Sequence, residues 1–90
     1  MKVINRDHEK EEFEDEKLYC SVYYPAREVE IPEERADALA EKVIYEVKAW
    51  IHDHEDDVVT TSEMESKIES ILGRLNDDVC IMYRTHLDLN

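Results

Sequence analysis

The densest group of side chains that could bind a metal ion lies in one short acidic segment. It contains two histidines and three aspartates: His52, Asp53, His54, Asp56 and Asp57. Carboxylate oxygens suit Ca²⁺ or Mg²⁺, and imidazole nitrogens suit Zn²⁺ or Ni²⁺. The glycine-centred spacing of an EF-hand is absent, as are His-x-x-x-His and Cys-x-x-Cys. The pattern therefore favours a solvated loop over a specific metal site.

Side chains that could act as nucleophiles lack the surroundings that activate them. Cys20 and Cys80 fall in apolar, helix-like contexts, where we expect them to be buried or half-buried, with a disulfide as the less favoured alternative. No serine follows a glycine-rich elbow, since Gly73 is the only glycine. With 24 acidic residues, some pair always lies close enough to suggest acid–base catalysis, so proximity decides nothing. We expect the chain not to be an enzyme.

The net charge of −13 is spread along the chain and would repel a nucleic-acid backbone. No apolar run approaches the ~18 residues of a membrane helix. The first residues, Met1-Lys2-Val3, lead into charged residues rather than into the apolar stretch of a signal peptide. We therefore expect a cytoplasmic protein that binds neither nucleic acid nor membrane.

The chain of 90 residues has the size of one domain, without linkers or repeats, and we expect residues 1–90 to form it. The β-branched segment 2–5 and the segment 11–13 are separated by polar residues, a pattern that predicts a hairpin. A further short strand is predicted at Val58 and Val59. After it, either Thr60 with Glu63 or Ser62 with Glu65 fits a capping box at a helix start.

Four helices are predicted from apolar periodicity. Leu18, Val22 and Ala26 mark the first, which Pro25 should end or kink near Tyr24. The second begins near Pro32. In the second, third and fourth helices, one stripe of mainly apolar residues each is expected to face the core. The three stripes are Ala36, Ala40, Val43, Ile44, Val47, Trp50 and Ile51; Met64, Ile68, Ile71, Leu72 and Leu75; and Val79, Met82, Tyr83 and His86. Tyr24 is the aromatic residue that we most expect to be exposed. The fold class is α+β: a small β-hairpin or three-stranded sheet packed on a four-helix bundle.

Four short motifs, in this order, resemble those of the ATP-cone. That family is a small regulatory module that senses ATP and dATP in ribonucleotide reductases and some transcriptional repressors. The segment Asn5-Arg6-Asp7-His8 corresponds to a Lys-Arg-Asp-Gly turn, and Phe13-Glu14 corresponds to a Phe-Asp pair. Lys17 follows at the start of the first helix, and Thr61-Ser62-Glu63-Met64 corresponds to Thr-Ser-Glu-Ile. The resemblance spans nearly the whole chain and implies a hairpin lid over a helical bundle.

The resemblance implies an adenine-nucleotide site for ATP or dATP, with Mg²⁺ accompanying the nucleotide. Arg6 and Lys17 take the positions of phosphate-binding cations. Val3 would contact the base, and Thr61 would offer a hydroxyl beside helix amides that favour anions. Without the resemblance, Arg6 and Lys17 are ordinary surface charges paired with acidic neighbours such as Glu14.

Four positions depart from the family pattern. Asn5 replaces a phosphate-binding lysine, and the loss of one such cation costs about 1–3 kcal/mol of binding free energy. His8 replaces the turn glycine, Glu14 is a poorer helix cap than aspartate, and Glu65 replaces a basic or imidazole residue. These departures bear on whether the chain still binds a nucleotide.

Two functions remain open at this point. The first is a stand-alone regulatory module in which a bound adenine nucleotide changes association with a protein partner or with itself. The alternative is a degenerate ATP-cone that no longer binds nucleotide and serves as an acidic protein-interaction module. The nucleotide-binding module would be favoured if the cations Arg6, Lys10 and Lys17 cluster without acidic partners. The degenerate alternative would be favoured if Glu11 or Glu14 occupies the space between those cations.

Overall fold

The computed structural model describes residues 1–88 and contains three short strands and four helices. They are β1 (Lys2–Ile4), β2 (Lys10–Glu12), α1 (Asp15–Glu28), α2 (Glu33–His52), β3 (Val58–Thr60), α3 (Thr61–Leu75) and α4 (Asp77–Asp88), and a single 3₁₀ turn at Glu55–Asp57 precedes β3. The predicted α+β class, with a three-stranded sheet and four helices, is confirmed. The third strand predicted at Val58 and Val59 is also present.

The sheet has the order β2-β1-β3, with the first strand in the centre. β1 runs antiparallel to β2, with Val3 opposite Glu11, and parallel to β3, with Val3 opposite Val59. Because β1 and β3 are parallel, their carboxyl ends lie at the same edge of the sheet. The hairpin turn that follows β1 and the N-terminus of α3 that follows β3 are therefore neighbours.

The hairpin turn closes without glycine because the Asn5 side chain stabilises it. The amides of Asp7 and Glu9 donate hydrogen bonds to Asn5 Oδ1 at 2.9 and 3.0 Å, and the His8 amide donates to the Asn5 carbonyl at 3.0 Å. His8 adopts a φ of 65°, the left-handed region that glycine enters at least cost. The side chain of Asn5 therefore offsets part of the strain at His8.

Of the two outcomes expected at Pro25, an end of α1 near Tyr24 does not occur, because the helix continues to Glu28. The Pro25 ring is fully buried, as is Ala26, so packing against the core outweighs the missing amide hydrogen bond. The helix ends instead in a Schellman motif. The amide of Ile31 donates to the Ala26 carbonyl and the amide of Glu30 to the Arg27 carbonyl, both at 3.0 Å, with Glu30 at a φ of 67°.

The core lies between the sheet and the four helices, and the predicted apolar faces supply it. Its fully buried side chains include Val22, Val43, Val47, Ile51, Val59, Ile68, Leu72 and Val79. α1 packs against α2 and α4, and α3 packs against α2 and α4. Trp50, Met64, Leu75 and His86 are only half-buried.

One expectation about burial is wrong. Cys20 is exposed, while Cys80 is buried as predicted, and both cysteines are free thiols. Cys20 is two residues from Leu18 and Val22, which places it about 200° around the helix, on the opposite face. Tyr24 is 57% exposed, as expected, but Tyr45 on α2 is more exposed at 72%.

Candidate functional site

A cavity of about 170 Å³ lies beneath the hairpin, where the sheet meets α1, α3 and α4. Its apolar wall includes Val3, Leu18, Met64, Ile68, Tyr83 and Leu87. Pockets that enclose a whole drug-sized ligand have volumes of about 300–1,000 Å³. This cavity is therefore large enough for one ring-sized part of a ligand, and the rest of that ligand would extend beyond it.

A second cavity of about 210 Å³ lies at the carboxyl edge of β1 and β3. Apart from Ile4, its lining residues carry polar side chains, and they include Asn5, Arg6 and His8 of the hairpin turn together with Thr61 and Ser62 of α3. Thr61 lines both cavities. Since a helix N-terminus carries partial positive charge, this second cavity is better suited to anionic groups than the first.

The N-terminus of α3 is fixed by a capping box. The Glu63 amide donates a hydrogen bond to Thr60 Oγ1 at 3.1 Å, and the Thr60 amide donates to Glu63 Oε1 at 2.9 Å. Of the two capping boxes that the sequence allowed, the one with Thr60 and Glu63 forms. Thr61 follows the cap directly, and its hydroxyl donates to the Ile4 carbonyl at 3.4 Å.

The four residues predicted to bind a nucleotide lie around these two adjoining cavities. Val3, Lys17 and Thr61 line the first, and Arg6 lines the second together with Thr61. Lys10 is exposed in β2 and lines neither cavity. The convergence places the predicted residues together, while their role in binding a ligand stays a prediction.

Lys17 is paired with a neighbour on its own helix. Its Nζ lies 2.8 Å from Glu14 Oε2, as expected for an ordinary surface pair. Glu14 is the N-cap of α1 but makes no capping hydrogen bond with its side chain. The hydrogen bond to Glu14 and the charge of that carboxylate raise the pKa of Lys17, so the lysine is cationic at neutral pH. Because the lysine side chain is 77% exposed, a ligand can draw it away from Glu14 at small cost.

Arg6 forms an ion pair that the sequence did not reveal. Its Nη2 lies 2.8 Å from Glu65 Oε1, across a separation of 59 residues. Glu65 lies one turn beyond Thr61 on α3, on the same helix face, and lines the first cavity. Only the parallel pairing of β1 with β3 brings that face to the hairpin turn, and no local pattern indicates such a pairing.

Acidic side chains outnumber basic ones around the first cavity. Glu11, Glu12, Glu14 and Glu65 line it, against Lys17 alone. The hydrogen bond from Lys2 lowers the pKa of Glu12. Glu11 and Glu14 both border the cavity. Carboxylates in this space favour the alternative in which the ATP-cone no longer binds a nucleotide.

Two aromatic residues, Phe13 and Tyr83, line the first cavity, and sequence periodicity predicted the inward position of only one of them. Tyr83 was predicted to point inward, and it is 3% exposed in the cavity wall, where burial raises the pKa of its hydroxyl. Phe13 also lines the cavity, and Lys48 Nζ lies 6.0 Å from its ring centroid. Leu87, near the end of α4, was not identified from the sequence.

The acidic segment after α2 does not gather its side chains around one point. His52 Nδ1 lies 3.4 Å from Asp57 Oδ1, while His54 Nδ1 lies 2.8 Å from the Trp50 carbonyl. Across residues 1–88, no three His, Cys, Asp or Glu side chains are grouped so that they could hold a metal ion.

None of the helices in the same part of the chain has the length and apolar character needed to cross a membrane.

The fold and the cavity define a small α+β domain in which a hairpin covers a ring-sized cavity on a helical bundle. The model of the ATP cone domain matches residues 1–86, and the chain therefore belongs to the ATP-cone family. The resemblance inferred from the motifs is confirmed. ATP-cone domains are regulatory rather than catalytic and sense adenine nucleotides. A sequence comparison with curated proteins found no match.

Proposed function

We propose that this ATP-cone domain senses an adenine nucleotide, ATP or dATP with Mg²⁺, and that the bound nucleotide changes its association with a protein partner or with a second copy. The observation that supports the proposal is the convergence of Val3, Lys17 and Thr61 on one cavity, with Arg6 in the adjoining one. These residues come from β1, the hairpin turn, α1 and α3, and only the folded domain brings them together.

The two cavities match the two halves of a nucleotide. The apolar wall beside Val3 suits a flat, largely apolar ring, whereas the second cavity, at the N-terminus of α3 and beside Arg6, suits phosphate groups. Arg6, which lines the second cavity, can bind phosphate oxygens through its guanidinium. Lys17 lines the first cavity, and its long, exposed side chain would bind the phosphates as a point charge from there. A Mg²⁺ ion bound to the phosphates would reduce their repulsion from Glu65, the carboxylate that is paired with Arg6.

Two helices support a link between the nucleotide and association. Ser21 and Leu18 of α1 and Tyr83 of α4 line the first cavity, and α1 packs directly against α4. The same two helices carry Tyr24 and Ile81, which are 57% and 59% exposed. A nucleotide that shifts either helix would thus alter the apolar surface available to a partner.

Calorimetric titration of ATP, dATP and ADP in the presence of Mg²⁺ tests the proposal. We expect micromolar affinity for ATP, which Arg6→Ala and Lys17→Ala each weaken about tenfold or more. Lys42→Ala is the matched control, because Lys42 pairs with Glu46 on α2 and lines neither cavity. Sedimentation with and without ATP then reports association. No heat with any nucleotide, together with an unchanged melting temperature, would contradict the proposal.

The second candidate is the acidic interaction module that does not bind nucleotide. The four glutamates around the first cavity and the engagement of Arg6 by Glu65 favour it. This candidate predicts no nucleotide binding, and salt-sensitive binding of a peptide rich in Lys and Arg. An acidic peptide of equal length is the control, and equal binding of both peptides would argue against this candidate.

A further inference from the structure

We propose that Glu65 is a specificity-determining residue, whose carboxylate holds Arg6 in the empty domain and must be displaced by the phosphates of a nucleotide. Glu65 thereby disfavours phosphorylated ligands relative to adenosine. The inference rests on the proposed function and adds a selectivity element to the same site.

The geometry places Glu65 in direct competition with a phosphate group. Its Oε1 lies 2.8 Å from Arg6 Nη2, the distance of a charge-assisted hydrogen bond. Carboxylate and phosphate bind the same guanidinium donors, so both cannot fully occupy them. Glu65 lines the first cavity and Arg6 the second, so the pair links the two cavities, which also share Thr61.

The carboxylate of this pair is partly buried. The Glu65 side chain is 21% exposed, whereas that of Arg6 is 72% exposed. A carboxylate in this position is only partly stabilised by water, so loss of its cation costs more than at an open surface. The carboxylate would then remain beside Glu11, Glu12 and Glu14 with Lys17 as the cation at the cavity.

The pair also restrains the hairpin turn. The hydrogen bonds from the amides of Asp7, His8 and Glu9 all end on Asn5, inside the turn. β2, which continues from the turn, is exposed along its whole length. Arg6 with Glu65 thus supplies an ionic tie between this turn and α3, and its loss should make the turn open more often.

Glu65→Gln tests the proposal, because glutamine keeps the size of the side chain and removes its charge. We expect the affinity for MgATP to rise about tenfold more than the affinity for adenosine, which has no phosphate. Glu69→Gln is the matched control: Glu69 lies one turn further along α3, 3.9 Å from Arg84, and lines neither cavity. The gain in MgATP affinity should vanish when Arg6→Gln is added.

Hydrogen exchange without nucleotide gives a second readout. The turn amides of residues 7–9 should exchange about threefold faster in Glu65→Gln and at the wild-type rate in Glu69→Gln. Unchanged exchange would overturn the restraint, and equal MgATP affinity in wild type and Glu65→Gln would overturn the competition while leaving the proposed function intact. If adenosine and MgATP bind neither protein, the proposed function fails, and the selectivity role of Glu65 fails with it.

Discussion

Ile4 and Thr60 lie directly opposite each other at the carboxyl ends of the parallel strands β1 and β3. Thr60 is also the N-cap of α3, and Ile4 is the last residue before the hairpin turn. This one pairing therefore fixes the distance between the turn, which carries Arg6, and the helix start, which carries Thr61. The candidate site depends on it more than on any single charged contact.

Removal of the cap should destabilise the domain measurably. Thr60→Ala deletes the hydroxyl that accepts the hydrogen bond from the Glu63 amide, and we expect a loss of about 1 kcal/mol in the free energy of unfolding. Urea denaturation measures this loss. Ser62→Ala, at an exposed position in the same helical turn, is the control and should change stability by less than about 0.5 kcal/mol. Equal losses in the two variants would contradict the capping role.

The capping carboxylate should make stability depend on pH at the acid end. The hydrogen bond from the Thr60 amide holds the pKa of Glu63 below its ordinary value of 4.5. Because the pKa is lower in the folded state than in the unfolded state, ionisation of Glu63 stabilises the fold. This contribution is complete above pH 4.5 and is lost as the pH falls through the folded-state pKa. The stability difference between wild type and Glu63→Ala should thus shrink below pH 4.5 in urea titrations. A difference that stays constant across that range would argue against the assignment.

Relief of backbone strain at the end of α1 should stabilise the domain. Glu30 closes the Schellman motif at a φ of 67°, where a side chain is unfavourable. We expect Glu30→Gly to raise the free energy of unfolding by about 0.5–1 kcal/mol, because glycine adopts this conformation freely. Glu33→Gly, in the first turn of α2, should instead lower it by about as much. Denaturation of both variants checks the contrast, and a loss in Glu30→Gly would show that the charge matters more than the strain.

Gly73 should be replaceable by alanine with a gain in stability. It lies within α3, and a Cβ added there would have its nearest neighbour, Cys80 Sγ, at 4.0 Å. Since this is an ordinary contact distance, the higher helix propensity of alanine should raise the free energy of unfolding by about 0.5–1 kcal/mol. A lower melting temperature for Gly73→Ala would mean that α3 and α4 pack too tightly to accept the methyl group.

Local patterns in the sequence predicted most of the fold. Apolar periodicity located the four helices, and the spacing of Thr60 and Glu63 indicated the capping box that forms. Pro25 misled the prediction because tertiary burial of its ring outweighs its local preference. Cys20 was assigned by residue type, although its position relative to Leu18 places it on the outer face.

The candidate site was only partly predictable. The motif order led to Val3, Arg6, Lys17 and Thr61, which the structure brings to two adjoining cavities. The partner of Arg6 could not be inferred, because Glu65 is 59 residues away and meets it only through the pairing of β1 with β3. The four glutamates around the first cavity could not be grouped from the sequence for the same reason, because they come from β2, the N-cap of α1 and α3.

The most direct test of the central claim is an NMR titration of the ¹⁵N-labelled protein with MgATP. The account predicts saturable changes in the amide signals of Val3, Lys17 and Thr61, which line the cavity beneath the hairpin. Ser66 and Ser70, which face the shallow surface beside Trp50, should remain unchanged. Changes centred on Trp50 and Ser66, or no saturable change at all, would contradict the claim that an adenine nucleotide binds beneath the hairpin.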